Sequence, residues 1–253
     1  MAPQLSVVVP AYNEEARIGP TLDRLADFVA GLPGGAEILV VDDGSSDGTS
    51  GIAERPQYRE ARWLRWLRLP ENRGKGAALR AGVLASTGDE VLLCDADLST
   101  PIEEYVRLRP RLATVEVVLG SRGLAESRID RRQPLYRELM GRIFNLAVRA
   151  LAVGGIKDTQ CGFKLLRGEV ARSLFADLRI DRFAYDVELI WLARRRGMQV
   201  EEVGVTWVDS PASSVHALRD SARMLADLFR IRWLHRGEPT ILPAAGAAVR
   251  RRV

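Results

Sequence analysis

Short apolar strand segments that alternate with helical segments constrain the fold of this chain most strongly. Each segment in the first half of the chain is followed by residues whose apolar positions recur at helical spacing. The segments are Leu5–Val9, Glu37–Val41, Trp63–Leu69 and Glu90–Cys94. Strands that are apolar on both faces are typical of a parallel sheet covered by helices on both sides. The sequence therefore predicts an α/β fold with a mostly parallel central sheet flanked by helices.

The same periodicities predict the remaining elements. We expect Pro10 to end the first strand, and Pro56 to end a short helix that opens at Asp47 and Gly48. The other predicted helices cover residues 22–32, 76–86, 102–112, 135–153, 185–196 and 215–234, and the other predicted strands cover residues 115–119 and 199–208. Residues 210–214 are predicted to form a loop.

Composition excludes several classes of protein. The formal net charge of +4 gives no support for binding to nucleic acid. No apolar run approaches the roughly 18 residues that a membrane span needs, and the first four residues show no export signal. The two cysteines, Cys94 and Cys161, lack metal-binding spacing and are expected to be reduced. We therefore expect a cytoplasmic protein that has no nucleic-acid partner.

Polar clusters follow the first four strands, at the point where each strand ends. They are Pro10–Glu15, Asp42–Thr49, Asn72–Gly76 and Asp95–Asp97. Ligands of open parallel sheets lie beyond the carboxyl ends of the strands, so these clusters are expected to meet at one edge. At least five carboxylates and Lys75 would gather there. Such crowding is costly unless a cation offsets the negative charge.

Asp95 and Asp97 are the sharpest signal in these clusters. Two carboxylates at positions i and i+2 after a strand can share Mg²⁺ or Mn²⁺, which prefer oxygen ligands. The alternative is a solvated turn. Lys75, between two glycines and before a helix, suits an anionic oxygen. The chain has neither a Walker loop nor the G-x-G-x-x-G pattern, which disfavours a dinucleotide dehydrogenase.

Together these motifs resemble the family 2 inverting glycosyltransferases, a family with the GT-A fold. The resemblance rests on residues 8–15, 41–49, 72–76 and 95–97. Three later motifs, at residues 120–122, 158–164 and 185–189, resemble the dolichyl-phosphate β-glucosyltransferase branch, which is related to the dolichyl-phosphate mannosyltransferases. The resemblance implies one GT-A domain over residues 1–236, with a nucleotide-sugar half at 1–120 and an acceptor half at 121–236. Two prolines, a run of small residues and three final arginines predict a flexible tail at 237–253.

The resemblance also implies a role for each matching residue on the donor side. The residues that would surround the nucleotide sugar are Pro10, Tyr12, Glu14, Asp42, Asp43, Lys75, Asp95 and Ala96. Asp42 would bind the uracil or the ribose, although Asp-Gly sequences also form ordinary tight turns. Asp95 and Asp97 would hold the divalent cation, Mg²⁺ or Mn²⁺, on the diphosphate.

On the acceptor side, the resemblance implies that Asp158 is the catalytic base and that Arg122 and Arg137 grip the acceptor phosphate. Residues 122–142 contain six arginines and three acids, which suits a phosphate monoester. Such a monoester is largely ionised near neutral pH, so a strong base is less needed. Asp158 could instead orient the acceptor or cap the segment before Gly162. Asp186 and Glu188 could be acids at a helix N-terminus.

The predicted reaction is the inverting, metal-dependent transfer of a hexose, glucose from UDP-glucose, to a polyprenyl phosphate. The alternatives are GDP-mannose or another nucleotide sugar as donor, a saccharide hydroxyl as acceptor, or an inactive scaffold that binds nucleotide sugars. The sequence does not predict the oligomeric state. Loop 210–214 lacks the cation that relatives often carry there, and His216 follows it.

The last predicted helix suggests a membrane surface at the cytoplasmic face as a further partner. At about 100° per residue, Arg219, Arg223 and Arg230 form one stripe. A neighbouring apolar stripe contains Leu218, Ala222, Leu225 and Phe229. This pattern suits a helix that lies on an anionic membrane. The alternative is a surface helix that packs on the domain, which Asp220 and Asp227 favour.

Overall fold

The computed structural model of the chain describes residues 3–131, 148, 153–208 and 217–237, without the side chains of 131 and 217–222. The strands are β1 (Leu5–Ala11), β2 (Ala36–Asp42), β3 (Leu64–Arg68), β4 (Glu90–Leu93), β5 (Val117–Ser121), β6 (Arg128–Arg131), β7 (Lys164–Arg167), β8 (Val200–Gly204) and β9 (Thr206–Val208). The α-helices are α1 (Ile18–Ala30), α2 (Pro56–Arg59), α3 (Lys75–Ala85), α4 (Tyr105–Leu108), α5 (Gly168–Asp177), α6 (Tyr185–Arg195) and α7 (Ala217–Leu234). Short 3₁₀ helices lie at Gly48–Glu54, Ile102–Glu104 and Arg109–Ala113.

Seven strands form the central sheet, in the order β3-β2-β1-β4-β7-β5-β8. Strand β7 runs antiparallel to both of its neighbours, and the other pairs in the sheet are parallel. Strands β6 and β9 form a separate two-stranded sheet. The predicted α/β architecture is confirmed, and β7 and β8 bring the proposed acceptor half into the same sheet as the first half.

The alternation of side chains along β1 explains why the sheet has two cores. Val7 and Val9 point to one face and pack against α1, whereas Val8 points to the other and packs with α3 and α5. All three valines are fully buried. The helices therefore cover both faces of the sheet, as the apolar strands predict.

Of the two prolines expected to end an element, only Pro10 departs from the prediction. Pro10 does not end β1, which continues to Ala11 alongside β2. The pairing of β1 with β4 stops at Val8. Pro10, which has no N–H, faces β4 beyond the last hydrogen bond of that pair, so no hydrogen bond is lost. The short helix predicted to open at Asp47 is a 3₁₀ helix that ends at Glu54, as expected. Pro56 then also begins α2, because the first helical N–H has no partner to lose.

Several other boundaries also differ from the prediction. The predicted helix at 102–112 is broken into α4 and two flanking 3₁₀ helices, the last of which begins around Pro110. The single strand predicted at 199–208 is two strands that belong to different sheets. Strands β6 and β7 and helix α5 were not predicted. The predicted loop 210–214, the predicted tail and most of the predicted helix 135–153 lie outside the described residues.

The antiparallel strand β7 positions the site. Its first residue, Lys164, pairs with Leu93 at the carboxyl end of β4 and with Leu119 near the end of β5. The segment before β7 therefore lies at the edge where β1, β2, β4 and β5 end. This topology brings the motif at 158–164 to the same edge as the acidic pair after β4.

Candidate active site

Asp43, at the end of β2, organises the loop that carries Lys75. Its carboxylate accepts hydrogen bonds from Asn72 Nδ2 (3.0 Å), Arg73 N (2.9 Å) and Gly74 N (2.7 Å). Burial raises the pKa of Asp43, although the two backbone hydrogen bonds oppose that rise. Asp43, predicted to contact the nucleotide sugar, therefore acts in this structure as a support for the loop.

The glycines of this loop allow a close approach of the segment before α6. Gly74 has a φ of +113°, and a Cβ there would lie 2.6 Å from the carbonyl oxygen of Asp181. The same oxygen accepts a hydrogen bond from Ala77 N at the start of α3. The N-terminus of α3 was expected to meet an anionic ligand, but its Ala77 N–H is already bound to Asp181 within the protein. The positive charge offered to the site is that of the Lys75 side chain.

Lys75 and the two aspartates after β4 lie together. Lys75 Nζ is 2.5 Å from Asp95 Oδ1, and Ser99 N donates to Asp97 Oδ1 at 3.0 Å. Burial opposes ionisation of Asp95, but its pKa is lowered because the positive charges of Lys75 and of more distant basic side chains outweigh that effect. Asp95 is therefore an anion at neutral pH.

Gly162 packs directly against this carboxylate. A Cβ at position 162 would lie 2.1 Å from Asp95 Oδ2, so only glycine leaves the carboxylate in its place. Ala96, between the two aspartates, is buried, and its carbonyl oxygen accepts a hydrogen bond from Thr21 Oγ1 at 2.6 Å. These contacts hold in place the backbone that carries the Asp95 and Asp97 carboxylates.

The donor set suits a hard cation that takes its other ligands from a substrate. In the part of the chain that the structure describes, no group of three or more His, Cys, Asp or Glu side chains is arranged to hold a metal ion. Asp95 and Asp97 supply two carboxylates, and Mg²⁺ and Mn²⁺ accept few protein ligands when phosphates and water complete the shell. The residues present fit such an ion together with a diphosphate.

Asp42 is fully buried and already partnered. Its carboxylate accepts hydrogen bonds from Ser45 N (2.8 Å) and from Ser50 Oγ, and Arg68 Nε lies 3.8 Å away. Arg68 also donates to Ser50 Oγ at 2.6 Å. About half of the Arg68 side chain is exposed, so it can move aside. A nucleobase would reach Asp42, its predicted partner, only after such a movement.

The cluster after β1 forms one wall of the same edge. Tyr12 is exposed, and Pro10 is partly buried in the strand before it. Asn13, with a φ of 54°, donates its N–H to Ser45 Oγ at 2.9 Å and so joins this cluster to the one after β2. Glu14 is bound by Arg17 at 2.6 Å, and burial raises the pKa of Glu14.

Arg122 and Asp158 form a buried ion pair with each other. Arg122 Nε and Nη2 donate to the two carboxylate oxygens of Asp158 at 2.7 and 2.9 Å, and Arg122 N donates at 2.9 Å. Burial opposes ionisation of Asp158, but the Arg122 charge and hydrogen bonds outweigh it and lower the pKa of Asp158 to about 2. The guanidinium also lies 5.5 Å from the ring centroid of Trp207.

The prediction assigned these two residues to different tasks, and the structure brings them into contact. Arg137, the other predicted ligand of the acceptor phosphate, lies outside the described residues. The Arg122 side chain retains an exposed fraction of 27%, and Nη1 is the guanidinium nitrogen that does not donate to Asp158.

Sequence reasoning gave no role to a second buried ion pair near the site. Lys164 is fully buried and donates to Asp186 Oδ1 and to the carbonyl oxygen of Cys161. Asp186 was predicted as an acid at a helix N-terminus, and it does lie in the first turn of α6. A lysine at the start of a buried strand was the available signal, because a buried lysine requires a partner.

Glu188, the other predicted helix acid, ties α6 to α7. It is fully buried and accepts hydrogen bonds from Arg179 N (3.1 Å) and Ile180 N (2.8 Å). Its Oε1 also lies 2.6 Å from Nε2 of His235, just after α7. These bonds hold the C-terminal end of α7 against the domain.

A known protein family matches most of this chain. The sequence profile of the family described as "Glycosyl transferase family 2" matches residues 6–175. The chain belongs to this family. It is a glycosyltransferase, which confirms the expected enzyme class.

Curated relatives agree with the later motifs. The chain is 37% identical over 245 residues to a dolichyl-phosphate beta-glucosyltransferase of Dictyostelium discoideum, with 90% of this chain and 74% of that protein covered. It is 35% identical over 243 residues to the human protein of the same name, with 90% and 75% covered. The resemblance to this branch, stated from the motifs, is confirmed.

Solved structures support the fold. Glucosyl-3-phosphoglycerate synthase from Mycobacterium tuberculosis, crystallised with Mn²⁺, UDP and its glucosylated product, superposes with a TM-score of 0.65 at 24% identity, covering 96% of this glycosyltransferase and 82% of that chain. A mannosyltransferase from Pyrobaculum calidifontis with GDP-mannose and Mn²⁺ gives 0.59 at 23%, covering 91% and 64%. The GT-A fold is confirmed. Among the described helices, none is both long and apolar enough to cross a bilayer.

Proposed function

We propose that the enzyme transfers glucose from UDP-glucose to the phosphate of a dolichyl-type polyprenyl phosphate, with inversion at the anomeric carbon. One observation carries the proposal. The acidic pair with Lys75 and the ion pair of Arg122 with Asp158 lie at a single sheet edge. The acceptor motif packs directly on the acidic pair there, since a Cβ at Gly162 would lie 2.1 Å from Asp95 Oδ2. A donor diphosphate and an acceptor phosphate bound there would be neighbours.

On the donor side, the diphosphate would lie between Lys75 and the acidic pair. Asp95 and Asp97 would hold Mg²⁺ or Mn²⁺, which supplies Lewis-acid stabilisation of the charge on the leaving diphosphate. Lys75 adds a positive charge fixed by Asp95 at 2.5 Å. Because the lysine is already held in place, it stabilises the developing charge without reorganisation. Tyr12 and, once Arg68 has moved, Asp42 would receive the uridine.

On the acceptor side, Arg122 would grip the lipid phosphate with its exposed edge. A pKa of about 2 keeps Asp158 ionised and paired at neutral pH. This pairing supports the orienting role for Asp158 over the role of catalytic base. The acceptor phosphate needs little help, since most of it is ionised already. Asp158 would therefore act as a positioning residue for Arg122.

The transfer is then a single displacement. An acceptor phosphate oxygen attacks the anomeric carbon from the face opposite the diphosphate. The new bond joins that oxygen to the anomeric carbon, while the bond from this carbon to the diphosphate oxygen breaks and leaves UDP. The product is a β-linked glucosyl phosphate lipid.

Both cysteines are free and buried, which supports the proposed cytoplasmic setting.

Substitution of the acidic pair tests the proposal. The enzyme is incubated with UDP-glucose, Mn²⁺ or Mg²⁺ and a short-chain polyprenyl phosphate, and the lipid product is measured by mass spectrometry. We expect Asp97→Asn to abolish transfer without unfolding the protein. Asp89→Asn is the matched control, because Asp89 is exposed and lies at the other end of β4. Near-normal turnover by Asp97→Asn, or activity unaffected by EDTA, would remove the cation from the proposal.

A further inference from the structure

Helix α7 has a buried face and an exposed face of different character. Its buried face consists of Met224, Leu228 and Ile231, which join the core shared with α6. The exposed face carries Leu225, Phe229 and Trp233 at positions i, i+4 and i+8. Phe229 and Trp233 are each 63% exposed. At about 100° per residue, these three side chains fall within an arc of about 80°.

This arrangement is unusual for a surface helix that only packs on its own domain. Such a helix normally turns its apolar stripe inward and its polar residues outward. Here, over residues 223–234, one apolar stripe is already packed in the core, and a second apolar stripe is exposed to solvent. We call Leu225, Phe229 and Trp233 the outer stripe. Two exposed aromatic rings side by side mark an interaction surface.

Arginines border the outer stripe and decide its partner. Residues 223–237 contain four arginines and a single acid, Asp227. Arg223 and Arg230 are exposed on one side of the stripe. Arg236 follows the end of the helix, and its guanidinium lies 5.1 Å from the ring centroid of Trp233, in the outer stripe. Apolar side chains framed by arginines are complementary to a lipid surface that carries negative headgroups.

The inner side of the same helix lies next to the acceptor motif. Met224 Sδ is 3.9 Å from Nε2 of Gln160, which is two residues from Asp158. The C-terminal end of the helix is fixed by the contact between His235 and Glu188. A membrane that holds the outer stripe would therefore hold the acceptor motif at a fixed, short distance from its headgroups.

We propose that α7 docks the enzyme on an anionic lipid surface, with the outer stripe in the headgroup region and Arg223, Arg230 and Arg236 on the lipid phosphates. The value of this position for catalysis rests on the proposed lipid acceptor. The docking itself does not depend on it, so vesicle binding is measured without either substrate.

The test is cosedimentation of the full chain with phosphatidylcholine vesicles that contain or lack phosphatidylglycerol. The wild type should sediment with the anionic vesicles and remain in solution with the neutral ones. Phe229→Ser with Trp233→Ser should lower binding at least about tenfold. Arg223→Gln with Arg230→Gln should lower it roughly 30-fold, since each arginine at an anionic surface contributes about 5-fold.

Matched controls are available elsewhere on the surface. Leu84→Ser with Val106→Ser removes two other exposed apolar side chains, and Arg59→Gln with Arg62→Gln removes the same charge from another face. Both controls should bind vesicles like the wild type. The proposal would be overturned if the control variants lost as much vesicle binding as the test variants. It would also be overturned if the wild type bound both vesicle types equally or bound neither.

Two further measurements separate the possible outcomes. Sedimentation velocity without lipid should give the same species for the wild type and for the Phe229→Ser, Trp233→Ser variant. If the wild type is a dimer and this variant is a monomer, the partner of the outer stripe is a second copy of the chain, and the membrane proposal is refuted. Transfer to a water-soluble, short-chain polyprenyl phosphate should be unchanged in this variant. Vesicle binding with no transfer by any form would refute the proposed function while leaving the docking intact.

Discussion

The buried pair of Arg122 and Asp158 gives the sharpest prediction about the acceptor side. Asp158→Asn removes the negative charge and leaves the guanidinium without its counter-ion. The pKa of Asp158 falls from its ordinary value of 3.8 to about 2, with Asp158 only 3% exposed. This difference corresponds to about 2 kcal/mol of unfolding free energy at neutral pH, so the variant should lose at least that amount.

The pH dependence of this loss has a definite sign. The folded-state pKa is depressed, so the stabilisation is fully present above about pH 4 and is lost as the pH falls towards 2. Urea unfolding at several pH values should therefore show the gap between wild type and Asp158→Asn narrowing below about pH 4. Asp130→Asn is the control. It breaks an exposed pair with Arg128 and should cost less than about 1 kcal/mol at any pH.

Kinetics then separate positioning from base catalysis. If Asp158 acts through Arg122, Asp158→Asn should lower kcat in the wild type but add little in an Arg122→Gln background. UDP binding should remain intact in both variants. An equally large effect of Asp158→Asn in both backgrounds, together with an acidic limb in the pH–rate profile, would refute the positioning argument and restore the base.

Further predictions concern the donor side. Lys75→Met should weaken UDP binding in the presence of Mn²⁺ by roughly tenfold or more, measured by calorimetry, because a hydrogen bond to a charged group contributes about 1.5–3 kcal/mol; unchanged affinity would exclude Lys75 from the diphosphate site. Gly162→Ala should abolish Mn²⁺-dependent UDP binding, because the new Cβ would displace the Asp95 carboxylate. Gly51→Ala, whose Cβ would meet open space, should bind UDP normally.

The sequence predicted the sheet well where one physical cause dominated. Strands β2 and β4 contain the unbroken apolar runs Ile38–Val41 and Val91–Leu93 and are followed by polar clusters, so both their existence and their ends were readable. Strand β7 was missed because its apolar run is only two leucines between Lys164 and Arg167, and the burial of Lys164 depends on Asp186. Its antiparallel direction depends on the pairing partners β4 and β5, which no local pattern encodes.

The donor site was likewise easier to predict than the acceptor site. Four donor clusters follow consecutive strands, so the geometry of a parallel sheet alone brings them together. In contrast, Arg122 and Asp158 are separated by 36 residues, and only the folded chain shows that they pair. Motif matching assigned each a separate task because it treats residues one at a time. The inner partners of Asp42 and Asp43 were hidden for the same reason.

Acceptor competition tests the central claim most directly. The enzyme is given UDP-glucose, a divalent cation and equal amounts of a short-chain polyprenyl phosphate, the matching polyprenol and a free saccharide, and the products are identified by mass spectrometry. We expect a hexosyl polyprenyl phosphate as the product, with the polyprenol and the saccharide unchanged. Glucose found on the polyprenol or on the saccharide, with the polyprenyl phosphate unconsumed, would contradict it.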